Sequence, residues 1–181
     1  MGKAIRPVRV KLIVPMFTAD QSLIEGIESR LEEEFGPIDF RSQVLSFDHT
    51  SYYAAEFGQP LLRKFVSFAR LIDPGNLAEI KTRTNSLEAD LAQNGHRLIN
   101  LDPGYVSLGK VVLASTKNHR HRVYLDRGIY AEVTLFYQNG GYRAWEWTYP
   151  DYRTPAYAQI LSEIRRIYVV QLREAQGSPA K

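Results

Sequence analysis

Apolar residues at the start of the chain recur with two different spacings. Alternate positions are apolar over residues 8–17, which is the spacing of a buried β-strand. Every fourth position is apolar over residues 23–35, which is the spacing of an amphipathic helix, and Gly36 with Pro37 ends it. The pattern therefore predicts a strand followed by a helix that packs against a sheet.

The middle of the chain predicts two further strands and one long helix. Residues 38–44 and 62–71 favour strands, although the apolar residues of 62–71 also suit a helix. The aromatic and polar segment 46–58 between them is typical of an extended loop. The Asp73-Pro74 pair is typical of a helix start, because aspartate caps the first turn and proline fits inside it. This helix is predicted to end near residues 94–95.

The segment after the long helix contains the least decisive pattern. Residues 97–101 predict a short strand, and the residue types at 102–105 are those of a turn. Ser107 favours a helix over residues 108–116, although the two adjacent valines inside it also suit a strand.

The C-terminal part predicts three strands and a final helix. The strands cover residues 121–125, 129–137 and 142–149, and Asn139-Gly140 is the best hairpin signal in the chain. The last helix begins at Thr154-Pro155. We therefore expect an α+β fold, with a mixed or largely antiparallel sheet packed with about four helices and a C-terminal three-stranded meander followed by a helix.

Length and composition fit one globular domain over residues 1–181, with loose ends at about 1–7 and 175–181. Hydrophobic residues make up 44% and charged residues 24%, which excludes general disorder. The net charge of +3 is compatible with an anionic partner, but no long basic run marks a nucleic-acid-binding tail.

The chain contains no cysteine, which excludes disulfides, thiolate zinc sites and cysteine nucleophiles. This absence fits a reducing compartment. No apolar run approaches the ~20 residues that a membrane-spanning helix needs, and the N-terminus has no apolar signal core. We expect a cytoplasmic protein that is not integrated in a membrane.

Three polar residues follow one line of the long helix at the border of its buried stripe. Lys81, Asn85 and Glu88 are spaced i, i+4 and i+7. Such a line is either a solvated flank or a set of ligands for a pocket beside the core.

A polar and aromatic face is predicted on the strands 121–125 and 129–137. Side chains on alternate positions share a face, so a charged pair and several hydroxyl-bearing residues fall together. The residues predicted to cluster are Arg122, Tyr124, Tyr130, Glu132 and Thr134. Such a face can form a binding floor, and it can equally be a wet sheet face with a cross-strand ion pair.

The turn that precedes the helix predicted at 108–116 is a second candidate. Asn100, Asp102 and Tyr105 lie where backbone N–H groups of a helix N-terminus could hold an anion. Three neighbours would add positive charge and a hydroxyl, namely Lys110, Thr116 and Lys117. The simpler interpretation is a well-made turn in which Asp102 bonds to its own backbone.

Residues 104–110 fit the pattern G-x-x-x-x-G-K, which begins a phosphate-binding P-loop. That loop needs a Ser or Thr next, because its hydroxyl binds Mg²⁺, and Val111 stands there instead. Its interior residues are also bulky where small ones let the backbone wrap a phosphate. A P-loop is therefore the less favoured interpretation.

Histidine and carboxylate spacing predicts no metal centre. His119 and His121 would share one strand face, but no recognised ligand spacing surrounds them. His121 shares that face with apolar residues, which favours a partly buried, hydrogen-bonded histidine. Asp151, together with Tyr149 and Tyr152, lies at the end of the last predicted strand and is placed to rim a pocket.

The sequence resembles the uncharacterised bacterial family known as domain of unknown function 4416. Typical stretches are Phe-Gly-Pro-Ile-Asp at 35–39 and Gly-Ile-Tyr-Ala-Glu-Val-Thr-Leu at 128–135. The remaining stretches are 48–53, 71–74, 79–82, 100–105, 113–117, 121–125 and 147–152. The resemblance covers most of the chain but implies no activity, ligand or catalytic residue. Members are sometimes loosely labelled GTP-binding, and the departure at Val111 speaks against that label here.

The leading hypothesis is a pocket for an anionic small molecule, such as a nucleotide or another phosphorylated metabolite. Lys81, Lys110, Lys117 and Arg122 would neutralise the anion, and the tyrosines would pack against an apolar or base moiety. Catalysis, if it occurs, would use Asp102, Glu132 and His121 as acid, base or Mg²⁺-binding groups.

Two alternatives stay open. Basic residues interleaved with tyrosines also suit an RNA-associated accessory protein, which would expose a continuous basic face. A non-enzymatic partner-binding module would show shallow polar surfaces instead. The pocket hypothesis requires three elements to meet around one cavity. They are the polar line on the long helix, the bend at Asp102 and the Arg122–Glu132 face.

Overall fold

The computed structural model describes residues 2–48 and 54–175, so part of the loop predicted at 46–58 and most of the C-terminal loose end lie outside the described residues. The strands are β1 Val10–Thr18, β2 Ile38–Arg41, β3 Leu45–Ser46, β4 Leu62–Ile72, β5 Ile99–Leu101, β6 Gly104–Val106, β7 Lys110–Ser115, β8 Val123–Asp126, β9 Ile129–Gln138 and β10 Gly141–Ala144. The helices are α1 Gln21–Phe35, the single turn α2 Ala54–Phe57, α3 Leu77–Asp90 and α4 Pro155–Ala175.

All ten strands of the described chain belong to one sheet. Its main order is β10-β9-β7-β6-β1-β4-β2, and β3, β5 and β8 pair with β4, β1 and β9 respectively. Each of these pairings is antiparallel. The expected α+β class with a largely antiparallel sheet is therefore confirmed.

Strand β1 runs through the centre of the protein, and all nine of its residues are buried. Leu12, Val14 and Met16 face α1 and α3, whereas Ile13 faces α4 on the other side of the sheet. This alternation follows from the two-residue period of a strand. The sheet is thus covered by helices on both faces. Among residues 2–48 and 54–175, no helix is both long and apolar enough to cross a membrane.

A fully buried lysine in β1 joins the sheet to the C-terminal helix. Lys11 forms an ion pair with Asp39, donates to the Phe68 carbonyl at 2.8 Å and donates to the Gln171 side chain at 2.9 Å. Burial lowers the pKa of Lys11, and the bond to Asp39 opposes that effect. This cluster fixes α4 and does not contribute to the cavity described below.

The helix predicted over residues 108–116 is wrong, because this segment forms β7. Its β-branched residues pair with β6 on one edge and with β9 on the other, and this double pairing outweighs the weak helical signal at Ser107. The pattern at 104–110 is therefore a β-hairpin and not a loop before a helix, so no helix N-terminus is available there for an anion.

Gly104 is explained by the same hairpin. A Cβ atom at this position would lie 2.2 Å from the Val112 carbonyl oxygen and 2.6 Å from Leu113 Cδ2. Only glycine allows β6 and β7 to approach this closely. The first glycine of the P-loop-like pattern thus serves strand packing.

The predicted C-terminal meander is only partly correct. Ala131 pairs with Ala114 of β7 and with Val123 of β8, so these two strands lie on opposite edges of β9. β10 pairs with β9 on the same edge as β8, further along. The returning strand also ends at Ala144, earlier than the predicted residue 149, because the chain turns there.

The sheet opens at the bend between β5 and β6. Gly104 is paired with Leu113 of β7. The residues that precede Gly104, in β5, pair with β1, whereas the residues of β7 that come after Leu113 pair with β9. A gap consequently forms between β5 and the end of β7, and it is the location of the candidate site.

Candidate functional site

A cavity of about 250 Å³ occupies this gap in the sheet. α3 lines it on one side with Lys81 and Asn85, and β4 with the segment before α4 lines it on the other. β5 and its bend contribute Asn100 and Asp102. The cavity is thus bounded by elements that are far apart in the sequence and held together by the sheet.

Arg63 of β4 is the most deeply buried cation of the wall, with 3% of its surface exposed. Its Nη2 donates to Asp151 at 3.3 Å, and its Nη1 lies 3.5 Å from Asp102. The guanidinium also lies over the rings of Phe47 and Phe17, with its central carbon 4.3 Å and 5.0 Å from their centroids. Arg63 is therefore fixed between two carboxylates and two aromatic rings.

Several buried atoms of the cavity wall lack a hydrogen-bond partner among the described residues. They are Nε of Arg63, Nδ2 of Asn100 and the hydroxyl of Tyr152, and Arg63 Nη1 has only its 3.5 Å ion-pair contact with Asp102. Burial raises the pKa of Tyr152 well above its ordinary value, so its hydroxyl keeps its proton. All of these groups can donate a hydrogen bond. Buried donors without acceptors are costly, so this part of the wall favours a ligand that supplies acceptors.

Asp151 faces Arg63 from the 3₁₀ segment Pro150–Arg153. Its burial raises the pKa of the carboxyl, and the charge of Arg63 opposes that rise. The residue is thus held close to its cationic partner in a largely water-free environment.

Glu132 brings a buried carboxylate to the opposite wall. Its Oε2 accepts from Arg122 Nε at 2.8 Å and lies 3.0 Å from His121 Nε2. Its Oε1 has only Thr134, whose hydroxyl donates at 3.3 Å. One oxygen is therefore fully engaged, and the other retains capacity to accept a hydrogen bond from a ligand.

Arg122 ties together the segments around that wall. Its Nη1 donates to the Ser115 hydroxyl at 2.8 Å and to the Lys117 carbonyl at 2.9 Å, and its Nη2 donates to the Tyr149 hydroxyl at 3.1 Å. With Glu132 on Nε, nearly all of its donors are used. Arg122 therefore positions the end of β7 and the Tyr149 ring.

Lys81 and Glu88 connect α3 to β5. Lys81 Nζ donates to the Leu101 carbonyl at 2.6 Å, and the Leu101 N–H donates to Glu88 Oε1 at 2.7 Å. Lys81 and Glu88 lie 3.7 Å apart and are both buried. Burial raises the pKa of Glu88, and the charge of Lys81 opposes that rise.

Arg97 continues this network toward α2. It forms a two-point ion pair with Glu56, at 2.7 Å and 2.9 Å, and its Nη1 donates to the Asn100 side-chain oxygen at 3.0 Å. This last bond fixes the orientation of the Asn100 amide, with its Nδ2 left unpartnered.

The structure brings the α3 line, the Asp102 bend and the Arg122–Glu132 face around one cavity. The sequence-predicted residues that line it are Lys81, Asn85, Asn100, Asp102, Thr116, Lys117, Arg122, Glu132 and Asp151. Those that contact a lining residue from behind are Glu88, His121 and Thr134.

Four predicted residues lie elsewhere. Lys110 is exposed at the start of β7, because the segment is a strand and not a helix. Tyr105 packs in the cluster formed with Leu77 and Ala78 of α3. Tyr124 and Tyr130 pack against each other edge to face at 5.4 Å, outside the cavity lining.

Arg63, Arg97 and Phe47 line the cavity but were missed by the sequence analysis. A signal existed for Arg63, because it shares the buried register of Leu61 and Phe65. A charged residue in such a register requires a partner and often marks a site.

No group of three or more His, Asp or Glu side chains within residues 2–48 and 54–175 is arranged to hold a metal ion. Asp102 and Asp151, the carboxylates closest to the bend, are both directed to Arg63. The donor set of the cavity therefore does not fit Mg²⁺.

An open cleft adjoins the cavity. It is lined by residues 118–121 with Glu146, Trp147 and Tyr149, and Tyr149 also lines the cavity. His121 stacks on Trp147 with centroids 5.7 Å apart, and Trp147 stacks on Trp145 at 5.1 Å. His119 stacks on His121 at 5.9 Å. We call this arrangement, His119, His121, Trp147 and Trp145, the ring column.

Fold and site together define an α+β protein whose antiparallel sheet opens around a small cavity lined with ion pairs. Residues 8–168 match the family described as Domain of unknown function (DUF4416), and the chain belongs to this family. No curated protein and no solved structure matches the chain.

Proposed function

We propose that the cavity binds an anionic small molecule, such as a nucleotide or another phosphorylated metabolite. The observation that carries this proposal is the set of buried, unpartnered donors on Arg63, Asn100 and Tyr152. Phosphate and carboxylate oxygens are the acceptors that an arginine fork and an amide bind most strongly. Lys81, Lys117 and Arg122 add positive charge to the wall.

Catalysis is part of the same proposal. Glu132 lines the cavity, has one oxygen with only a long bond from Thr134, and contacts His121 through the other. A proton taken from a bound ligand by Glu132 would pass to His121, whose ring also lines the open cleft. Asp102, which is about one-third exposed, would be the second acid or base. The proposed place of action is the bacterial cytoplasm, which suits a chain without cysteine.

Calorimetric titration with inorganic phosphate and with AMP tests the proposal. We expect saturable binding to the unaltered protein and a loss of at least tenfold in affinity for Arg63→Met, because the main donor is removed. Lys110→Ala is the matched control, since Lys110 is an exposed cation outside the cavity, and it should bind like the unaltered protein.

Removal of Arg63 leaves Asp151 buried and unpaired, so a second variant guards against a folding defect. Asn100→Asp keeps the oxygen that accepts from Arg97 and replaces the unpartnered donor by an acceptor. It should lose binding with little loss of stability. Unchanged affinity in Asn100→Asp, or no binding of either probe to the unaltered protein, would refute the proposal.

RNA binding is a second candidate, and the ring column favours it. The exposed His119 ring at the end of the column lies next to Arg120 in the chain, and a ring beside a cation is the combination that base stacking and phosphate contact require. A labelled oligouridylate should then show an anisotropy increase that weakens with salt. His119→Ala with Arg120→Ala should reduce it, and Arg166→Ala on α4 should not. Equal binding by both variants, or none by the unaltered protein, rules this candidate out.

A further inference from the structure

The charges of the cavity wall are largely compensated. Arg63 is paired with Asp102 and Asp151, and Arg122 is paired with Glu132. Lys81 and Arg97 both have Glu88 as a partner. These pairings weaken the positive field of the wall, so negative charge alone does not define the ligand.

Both donors and acceptors of the cavity wall have unused hydrogen-bonding capacity. The unpartnered donors of Arg63, Asn100 and Tyr152 require acceptors. Among the described residues, Asp102 has only the long contact with Arg63, and Glu132 Oε1 has only the 3.3 Å bond from Thr134. A carboxylate accepts up to about four hydrogen bonds, so these two groups require donors. The complementary ligand carries an anionic group and several donors.

The volume of the cavity limits the size of the ligand that it can enclose. A volume of about 250 Å³ corresponds to about eight times the share of one water molecule in the liquid. It lies below the range of about 300–1,000 Å³ typical of drug-sized ligands. A nucleoside triphosphate is too large to be enclosed, whereas a phosphorylated monosaccharide is of suitable size.

Aromatic rings flank the same space. Phe47 lies on one side beneath Arg63, and Tyr149 is held at the other by its bond from Arg122. The Phe47 ring is covered by the Arg63 guanidinium, so the Tyr149 ring is the one placed to pack against the C–H face of a sugar, while the sugar hydroxyls reach the carboxylates.

We infer that the ligand is a sugar phosphate of about monosaccharide size, with its phosphate on Arg63 and Asn100 and its hydroxyls on Asp102 and Glu132. This inference rests on the proposed anion site and specifies its substrate class. The hydroxyls replace the water that would otherwise solvate the two carboxylates, and so they distinguish this ligand from free phosphate.

Calorimetry with four probes that share one phosphate group tests the inference: inorganic phosphate, glycerol 3-phosphate, ribose 5-phosphate and phosphoethanolamine. We expect ribose 5-phosphate to bind at least about tenfold more tightly than inorganic phosphate, with glycerol 3-phosphate between them, because hydrogen bonds to charged groups are the stronger ones. Phosphoethanolamine carries one ammonium in place of the hydroxyls. Its gain in affinity over inorganic phosphate should therefore be smaller than that of ribose 5-phosphate.

Asp102→Asn isolates the sugar contact. Within this variant, ribose 5-phosphate should bind little more tightly than inorganic phosphate, because the acceptor of its hydroxyls has lost its charge. Asp126→Asn alters an exposed carboxylate on β8 that does not line the cavity, so it is the matched control and should leave the affinities for both ligands unchanged.

The outcomes separate this inference from the proposal beneath it. Equal affinities for inorganic phosphate and ribose 5-phosphate, or tightest binding of phosphoethanolamine, overturn the sugar-phosphate inference and leave the anion site standing. An unchanged advantage of ribose 5-phosphate in Asp102→Asn also overturns it. Failure of all four probes to bind overturns the anion site itself.

Discussion

Arg63 holds the two aspartates of the cavity in place through one buried guanidinium. A buried cation is tolerated only when it is paired, and Asp151 and Asp102 provide that pairing. Loss of one partner from such a cluster costs about 3–5 kcal/mol because the other charges stay buried. The same arrangement leaves Nε without a hydrogen bond and Nη1 with only the long contact to Asp102, so the proposed ligand-binding role of Arg63 is added to a structural one.

Tyr157 provides a test of the dry environment beside Arg63. Burial raises its pKa to about 12 from an ordinary value near 10. The unfolded chain therefore loses the proton first, and the free energy of unfolding should fall as pH rises from about 10 to about 12. The contribution is complete below pH 10 and amounts to roughly 2 to 3 kcal/mol.

Urea unfolding of the unaltered protein and of Tyr157→Phe at several alkaline pH values measures this effect. Phenylalanine has no proton to lose, so the variant should show a shallower decline with pH. Parallel declines for the two proteins would contradict a buried, protonated Tyr157.

The residues of the site were predictable from sequence to different degrees. Lys81 and Glu88 were predictable because the helical period places residues at these spacings along one line of the helix surface. Arg63 and Asn100 depend on a strand register and a bend that only tertiary pairing defines. Lys110 was assigned to the wrong environment, because its place depended on a helix that does not form.

At the level of secondary structure, the hairpin β6–β7 decides where the cavity lies. Local propensity at residues 108–116 was ambiguous, and pairing on both edges selected the strand. The long elements α1, β4, β9 and α4 were predicted nearly in full. Their hydrophobic residues recur regularly over many positions, and such a pattern indicates the secondary structure without knowledge of the tertiary contacts. The short strands at the sheet opening carry too few residues to show a period.

Gly104→Ala should destabilise the hairpin, because the new methyl would meet the Val112 carbonyl at 2.2 Å. We expect a loss of about 1–3 kcal/mol and a Tm about 2 to 12 °C lower. Gly109→Ala is the control, since a Cβ there meets nothing within 4 Å. Scanning calorimetry of both variants measures the difference, and equal Tm values would show that strand packing does not require Gly104.

The link between α3 and β5 leads to a double-substitution test. Lys81→Met removes the bond to the Leu101 carbonyl and one of the two cations beside Glu88, while Arg97 stays 3.2 Å from the other carboxylate oxygen. We expect a loss of about 1–3 kcal/mol in urea unfolding, because a buried acceptor loses its donor and a buried charge loses part of its pairing. Adding Glu88→Gln should restore part of that loss, because an amide can still accept from Leu101 without a buried charge. If the two losses simply add, the buried pair is not coupled.

On the scale of the whole molecule, the cavity joins parts that are distant in the chain. α3, β4, β5, β7, β9 and the segment before α4 all contribute to its wall. A ligand that bridges them stabilises the folded state as a whole, and not one element alone. The antiparallel sheet makes this possible, because it brings β4 and β9 to opposite sides of the opening.

Inorganic phosphate should therefore raise the Tm of the protein. At a free concentration of about one hundred times its Kd, the gain is about 2.7 kcal/mol, which corresponds to about 5 to 11 °C for a chain of this size. The same shift should be absent in Asn100→Asp. A shift of equal size in that variant would show that phosphate acts at another place.

A crystal structure of the protein grown with tungstate, a heavy analogue of phosphate, tests the central claim most directly. We predict an anomalous peak inside the cavity, with its oxygens within hydrogen-bond distance of Arg63 Nη1 and Asn100 Nδ2. Tungstate bound only on the outer surface, with the cavity unoccupied at saturating concentration, would contradict the claim.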